Sequence, residues 1–231
     1  MSEAARRFYK EAAVREEGGG FAVALDGRAL RTPGKLAFAV PTRALADLVA
    51  EEWNAQSERI DPMSMPHTRL ANVAIERTPA TRSDLVAMTA KYGETDLLCH
   101  RADAPAALVA RQAEAWDRWI AWSRAELQFT PAVVTGIAAQ TNDLSPLERA
   151  AGELDDFRLT ALAHGVGLLG SAILGFALVR GALEADAAFE AAHLDDLHQI
   201  EAWGADEEAV QRLDRLKSEI AALAQFIAAL G

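Results

Sequence analysis

Residues 161–179 read ALAHGVGLLGSAILGFALV and contain no Asp, Glu, Lys or Arg. Three structures are compatible with such a stretch. One is a single membrane span, because about 18 or more uncharged apolar residues are enough to cross a bilayer. The second is a nucleotide-binding loop, since residues 165–170 (GVGLLG) match the dinucleotide fingerprint. The third is a helical segment buried on all sides by other helices of a globular domain.

The sequence around this stretch argues against the nucleotide loop. A dinucleotide fingerprint follows a buried strand and opens a helix, whereas residues 147–162 have a helical pattern. Burial is favoured over a membrane span because amphipathic helices on both sides in sequence offer apolar faces to cover the run. We therefore predict a buried central helix over residues 157–181. Its glycines lower the helix propensity and can divide it near Gly170 or Gly175.

Most of the chain after residue 63 has helical periodicity. Helices are predicted at about 67–77, 79–92, from Pro105, from Ser145, at 186–201 and at 206–230. Gly204 is expected to end the helix at 186–201. The last helix carries a heptad seam, namely Leu213, Leu216, Ile220, Leu223, Ile227 and Leu230. We expect this seam to pack inside the domain, with a coiled-coil partner as the alternative.

The N-terminal part has a different pattern. Alternating apolar residues around Phe21 are followed by Asp26-Gly27, a typical hairpin turn. Helical periodicity begins at Thr42, and residues 61–66, with two prolines, separate it from the helices that follow. The predicted fold is α+β and mainly α. A small antiparallel sheet and helix form a domain at 1–63, followed by a helical bundle domain at 64–231.

Composition narrows the possible functions. The net charge is −11 and the sequence pI is about 4.9, which argues against a nucleic-acid partner or an anionic membrane surface. The single cysteine, Cys99, excludes an internal disulfide and a multi-cysteine zinc site. The first 20 residues contain no apolar core typical of a signal peptide. We therefore expect a cytoplasmic protein.

No catalytic constellation is visible in the sequence. It contains no Gly-x-Ser-x-Gly, P-loop or His-Glu-x-x-His motif. His193 and His198 would point in different directions from one helix, so they do not predict a metal site. No catalytic residue, metal ligand or cofactor is predicted, and the pattern indicates a binding protein and not an enzyme. A membrane-anchored protein and an enzyme of unrecognised type remain the alternatives.

Two polar clusters occur in apolar surroundings. They are residues 95–101 (TDLLCHR) and residues 199–204 (QIEAWG). A structural interpretation pairs Asp96 with Arg101 and uses Trp203 to close the core under a helix end. The alternative is that the clusters bind a partner, because Trp and charged residues are common anchors of interfaces. The residues alone do not decide between these two interpretations.

The chain resembles the assembly chaperones of the F-type ATP synthase that hold its alpha subunit. The resemblance rests on the order and spacing of these blocks: residues 7–10 (RFYK), 25–33 (LDGRALRTP), Glu52-Trp53 with Gln56, 65–70 (MPHTRL), 95–101, Gln112 with Trp116-Asp117, and 199–204. It implies a small β-containing domain followed by a larger helical one, as the periodicity predicts. It also implies an ATP-independent chaperone that binds the free alpha subunit until the beta subunit replaces it.

The resemblance also implies a site. Glu201 is expected to contact the client, because it belongs to the Gln-Ile-Glu-x-Trp-Gly block of that family. The other expected partner-binding residues, from the matching blocks, are Trp203, Asp96, Arg101, Arg28 and Trp53. Because the chain starts at the matching blocks, we expect a bacterial member in the cytoplasm. We also expect it to be monomeric, without cofactor, metal, nucleic acid or membrane.

Overall fold

The structure is a computed structural model that describes residues 5–136 and 141–231. It has the predicted mainly helical α+β fold. The strands are β1 (Ala12–Glu17), β2 (Gly20–Leu25), β3 (Arg28–Ala29), β4 (Ala39–Val40), β5 (His100–Arg101) and β6 (Val134–Thr135). The helices are α1 (Arg43–Asn54), α2 (Pro66–Glu76), α3 (Thr78–Lys91), α4 (Ala106–Trp122), α5 (Ser145–Gly152), α6 (Asp156–Leu169), α7 (Ala172–Val179), α8 (Ala185–Ala192), α9 (Leu194–Trp203) and α10 (Glu207–Ala229).

The N-terminal sheet is built around β2. This strand pairs antiparallel with β1 along one edge and with β3 and β4 along the other. The predicted Asp26-Gly27 turn joins β2 to β3, and its two residues have φ of 47° and 83°, as a type I′ turn requires. Ala22 and Val23, which point to opposite faces of the strand, are both buried. The central strand is thus covered on both faces.

Helix α1 packs on this sheet, as its apolar face predicts. Its cap is Thr42, whose hydroxyl accepts a hydrogen bond from the backbone N–H of Leu45 at 3.2 Å. Leu45 and Val49 are fully buried, and the helix contacts β1 and β2. A short hairpin is barely stable alone, so the helix supplies the second layer that the sheet needs.

The chain forms two compact units. The first comprises Met1–Arg82, Asp155–Ala161 and Gln225–Gly231, and the second comprises Ser83–Leu154 and Leu162–Ala224. Within the first unit, Phe157 stacks on Phe226 with ring centroids 6.5 Å apart, and the buried hydroxyls of Thr78 and Thr160 lie 2.6 Å apart. A compact unit need not be an independently folding domain, so the division between residues 63 and 64 stays a prediction.

The apolar run over 157–181 forms two helices, divided at Gly170, one of the two positions at which its glycines were expected to divide it. Helix α6 ends before Gly170, whose φ is +61°, and helix α7 begins after Ser171, whose hydroxyl accepts the N–H of Leu174 at 3.0 Å. All eight residues of α7 are buried. Within the described residues, no helix is both long enough and apolar enough to cross a membrane. The glycine at residue 170 is therefore the break, and Gly175 stays inside α7.

The single helix predicted over 186–201 is wrong, because the chain bends at His193. The φ and ψ of this residue are −113° and 23°, so α8 ends before it and α9 begins after it. Phe189 before the bend and Leu194 after it are both buried. The bend also starts α9 with Asp195 and Asp196 in its first turn, where carboxylates interact favourably with the helix dipole.

The predicted seam of α10 faces the interior. Leu213, Ile220, Leu223, Ile227 and Leu230 are buried, and Leu216 is partly buried. The sequence predicted this packing because the spacing of three and four residues places all six side chains on one stripe.

Candidate functional site

Helix α9 brings Glu201 and Trp203 to the surface at its C-terminal end. The helix ends where Gly204 takes a φ of +88°, as predicted, and the N–H of this glycine donates to the carbonyl of Ile200 at 2.9 Å. The Trp203 side chain is largely in solvent, with 79% of its surface exposed. The structural interpretation, in which Trp203 closes the core, is therefore wrong.

Glu201 is held by an arginine that the sequence did not point to. Nη1 of Arg111 donates to one carboxylate oxygen at 2.6 Å and Nη2 donates to the other at 3.1 Å. This bidentate interaction holds the pKa of Glu201 below its ordinary value and raises the pKa of Arg111. Both side chains remain charged at neutral pH. We call this pair the Arg111–Glu201 clasp.

The clasp lies at the edge of a groove between α4, α8 and α9 that has a volume of about 540 Å³. Its small apolar side chains are Ala115, Ala187 and Ala191, joined by Leu194 and Leu197. Its charged side chains are Arg111, Glu114, Arg118, Glu190 and Glu201. An apolar floor with a charged rim is the usual anatomy of a protein-binding surface.

Three further contacts hold α8 and α9 against their neighbours. Nε1 of Trp116 donates to the carbonyl of Ala191 at 2.9 Å. Nε2 of Gln112 donates to a carboxylate oxygen of Asp195 at 2.8 Å. On the α10 side, Arg212 pairs with Asp196 at 3.0 Å. The groove thus has a fixed wall at the start of α9.

The structure places Arg101 below this surface, not on it. Its side chain is only 11% exposed, and its guanidinium pairs with Asp117 at 2.9 Å and lies 5.2 Å from the ring centre of Trp116. Its Nε donates to the carbonyl of Leu98 at 2.7 Å. The structural interpretation that paired Asp96 with Arg101 is therefore wrong, and Arg101 instead contacts Trp116 and Asp117 of α4.

Asp96 is fully buried. Its carboxylate accepts hydrogen bonds from the Ser171 hydroxyl at 2.7 Å and from the backbone N–H groups of Ile173 and Leu98, each at 3.1 Å. Burial raises the pKa of Asp96 to about 6 in spite of these hydrogen bonds. The carboxylate joins the 95–101 segment to the start of α7 and has no surface to offer a partner.

The remaining two predicted residues belong to the first unit. Arg28 is exposed in β3. Trp53 is partly buried near the end of α1, edge-on to Tyr9 with ring centroids 5.5 Å apart. Its carbonyl accepts a hydrogen bond from the Tyr9 hydroxyl at 2.6 Å. Of the six predicted site residues, only Glu201 and Trp203 are therefore brought together at one exposed feature.

The described residues contain no cluster of three or more His, Cys, Asp or Glu side chains that could hold a metal ion. Cys99 is completely buried, and burial raises the pKa of its thiol to about 12. It is therefore a neutral thiol at physiological pH and a poor nucleophile.

Comparisons with known proteins agree with this picture. Residues 6–124 match the family model described as ATP12 chaperone protein. The chain is 26% identical over 224 residues to the mitochondrial protein atp12 of Schizosaccharomyces pombe, a match that covers 88% of this chain and 75% of that protein. The family is named for chaperones and not for an enzymatic reaction, in agreement with the prediction of a non-enzymatic protein.

Solved structures extend the match to nearly the whole chain. Atp12 from Paracoccus denitrificans is 43% identical with a TM-score of 0.92, and the match covers 98% of this chain and 99% of that chain. A protein from Agrobacterium tumefaciens is 36% identical with a TM-score of 0.90, over 98% of this chain and 86% of that one. The chain therefore belongs to the ATP12 chaperone family, as its resemblance to ATP synthase assembly chaperones predicts.

Proposed function

We propose that this chain binds the free alpha subunit of an F-type ATP synthase and keeps it from aggregating until it assembles with the beta subunit. Membership of the ATP12 chaperone family supports a chaperone activity in general. The alpha and beta subunits bury large apolar surfaces in one another, and such a surface aggregates when it is unpaired. A protein that covers it reversibly needs a binding surface but no chemical reaction, so the proposed activity does not use ATP.

The observation that carries this proposal is that Trp203 is exposed at the same end of α9 where Glu201 forms the clasp with Arg111. Exposing an indole to water is unfavourable, and Trp is among the residues that contribute most to binding when a partner buries them. The groove next to the clasp adds an apolar floor and a charged rim to this surface. We propose that Trp203 and Glu201 lie in the surface that faces the client.

Two residues of the first unit, Arg28 and Trp53, remain proposed client contacts on the basis of the family blocks alone. Arg28 is exposed, and Trp53 is partly buried. Asp96 and Arg101 do not contact the client in this proposal. Their polar groups bind other residues of the second unit, Ser171 and Asp117 respectively. We further propose a monomeric protein that acts in the bacterial cytoplasm.

The proposal is tested by light scattering of the isolated alpha subunit as it aggregates. Added in increasing amounts, the chain should suppress scattering until it matches the alpha subunit in concentration, with the same result in the presence and absence of ATP. An unrelated acidic protein of similar size and charge serves as the control. Undiminished scattering at a several-fold molar excess, or suppression only with ATP, would contradict the proposed function.

A further inference from the structure

Helix α9 is tied to its neighbours in two very different ways along its length. At its first turn, Leu194 is buried, Asp195 accepts a hydrogen bond from Gln112, and Asp196 pairs with Arg212. At its last turn, the clasp is the only side-chain hydrogen bond or ion pair to another helix within the part of the chain that the structure describes. Among the described residues, the polar contact between the end of α9 and another helix is thus made by Arg111.

The residues that follow the first turn give the helix end little other support. Leu197 and Ile200 are only partly buried, and Glu201, Ala202 and Trp203 are all exposed. Gly204 then ends the helix with no atom within 4 Å of where its Cβ would lie. Apolar packing alone thus does not fix where the Trp203 ring is presented.

From this arrangement we propose that Arg111 is a positioning residue and that the clasp, not the Glu201 carboxylate by itself, prepares the client-binding surface. The inference rests on the proposed function. Arg111 offers two parallel N–H donors to the two carboxylate oxygens, and this geometry fixes an orientation as well as a distance. Glu201 then acts by holding the end of α9, and Trp203 makes the contact.

The clasp is exposed, with 40% of the Arg111 side chain and 59% of the Glu201 side chain accessible. Ion pairs at such sites contribute little to global stability. Breaking the clasp should therefore loosen the last turn of α9 without unfolding the protein. Loss of binding without loss of global stability would distinguish a positioning role of the clasp from a general structural role.

A charge-swap cycle tests the inference. The variants are Glu201→Lys, Arg111→Glu and the double variant R111E/E201K, in which the pair is restored with the charges exchanged. The dissociation constant for the alpha subunit should rise about 10-fold or more in each single variant and return to within about 3-fold of the wild type in the double variant. The rate of backbone hydrogen exchange at residues 200–203 should rise in each single variant and return towards the wild-type rate in the double variant.

The double variant R118E/E201K is the matched control. Arg118 lies on the same face of α4 and lines the same groove, but it does not contact Glu201. This variant has the same net charge and composition of charges as R111E/E201K yet lacks the clasp. It should therefore bind the alpha subunit no better than Glu201→Lys alone.

The outcomes separate the two proposals. If the wild type binds the alpha subunit but R111E/E201K is as weak as the single variants, Glu201 contacts the client directly and the positioning role is overturned. If R118E/E201K is restored equally well, net charge and not the clasp is responsible, which also overturns it. If the wild type does not bind the alpha subunit at all, the proposed function fails, and this inference fails with it.

Discussion

Asp96 and Ser171 are 75 residues apart in the chain and share a buried hydrogen bond, in which the Ser171 hydroxyl donates to Asp96 Oδ1 at 2.7 Å. The other carboxylate oxygen accepts from the backbone N–H of Ile173 at 3.1 Å. These donors lie at the start of α7, where the N–H groups have no partner within the helix. Asp96 therefore stabilises the break that divides the apolar run into two helices.

The pKa of Asp96 predicts how stability changes with pH. Burial raises this pKa to about 6, above the value of about 3.9 expected in the unfolded chain. The folded state thus holds the proton more tightly, and the resulting stabilisation is complete below about pH 3.9 and is lost as the pH rises through about 6. Between pH 4 and 7, the free energy of unfolding of the wild type should fall relative to that of Asp96→Asn.

This prediction is checked by urea unfolding of both proteins across that pH range. The Asn side chain keeps the size of Asp96 but does not titrate, so all other titrating groups cancel in the comparison. A difference between the two proteins that stays constant with pH, or that favours the wild type more as the pH rises, would show that the donors at α7 outweigh burial.

Local sequence signals predicted much of the fold. The Asp26-Gly27 turn, the end of α9 at Gly204 and the buried stripe of α10 each follow from the properties of a few neighbouring residues. The bend at His193 was missed because the apolar spacing continues across it and no Gly or Pro marks it. The sequence near His193 thus carries no local signal for the bend that the structure shows.

The site was harder to predict than the fold. Glu201 and Trp203 were selected through a family resemblance, but Arg111, the partner of Glu201, lies 90 residues away from it and just before the Gln112 block. Asp96 was selected from the same kind of block, yet its buried carboxylate is hydrogen-bonded to Ser171, which is also distant in the chain. Spacing along a chain does not show which charged residues meet in three dimensions.

Gly175 should not tolerate a larger side chain. A Cβ at this position would lie 2.8 Å from Cγ1 of Val166 and 3.3 Å from Cδ1 of Leu162. We expect Gly175→Ala to lower the free energy of unfolding by about 1–3 kcal/mol through overpacking, partly offset by the better helix propensity of alanine. Gly152→Ala, where a Cβ meets no atom within 4 Å, is the control and should be neutral or stabilising. Equal effects at both sites would exclude close packing as the cause.

Trp203 should matter for binding and not for folding. Because its side chain is 79% exposed, Trp203→Ala should change the free energy of unfolding by no more than about 0.5 kcal/mol. Its dissociation constant for the alpha subunit, measured by calorimetry, should rise by about 10-fold or more. Leu36→Ala, which removes another exposed apolar side chain, is the control. Unchanged affinity in Trp203→Ala would remove Trp203 from the client surface.

The first unit should not fold from its N-terminal residues alone. A fragment of residues 1–82 lacks the stacked pair Phe157 and Phe226 of the same compact unit, and it lacks Thr160, the buried partner of Thr78. We expect this fragment to show no cooperative thermal transition by circular dichroism. A cooperative transition like that of the intact protein would contradict this expectation and would show that the N-terminal residues fold as a domain by themselves.

The most direct test of the account is native mass spectrometry of the chain mixed with isolated alpha subunit, followed by addition of the beta subunit. We predict a complex of one chain with one alpha subunit that forms without nucleotide. Addition of the beta subunit should then release the free chain as assemblies of alpha and beta appear. A mixture in which the alpha subunit never joins the chain, or in which the chain stays bound to assembled alpha and beta, would contradict the central claim.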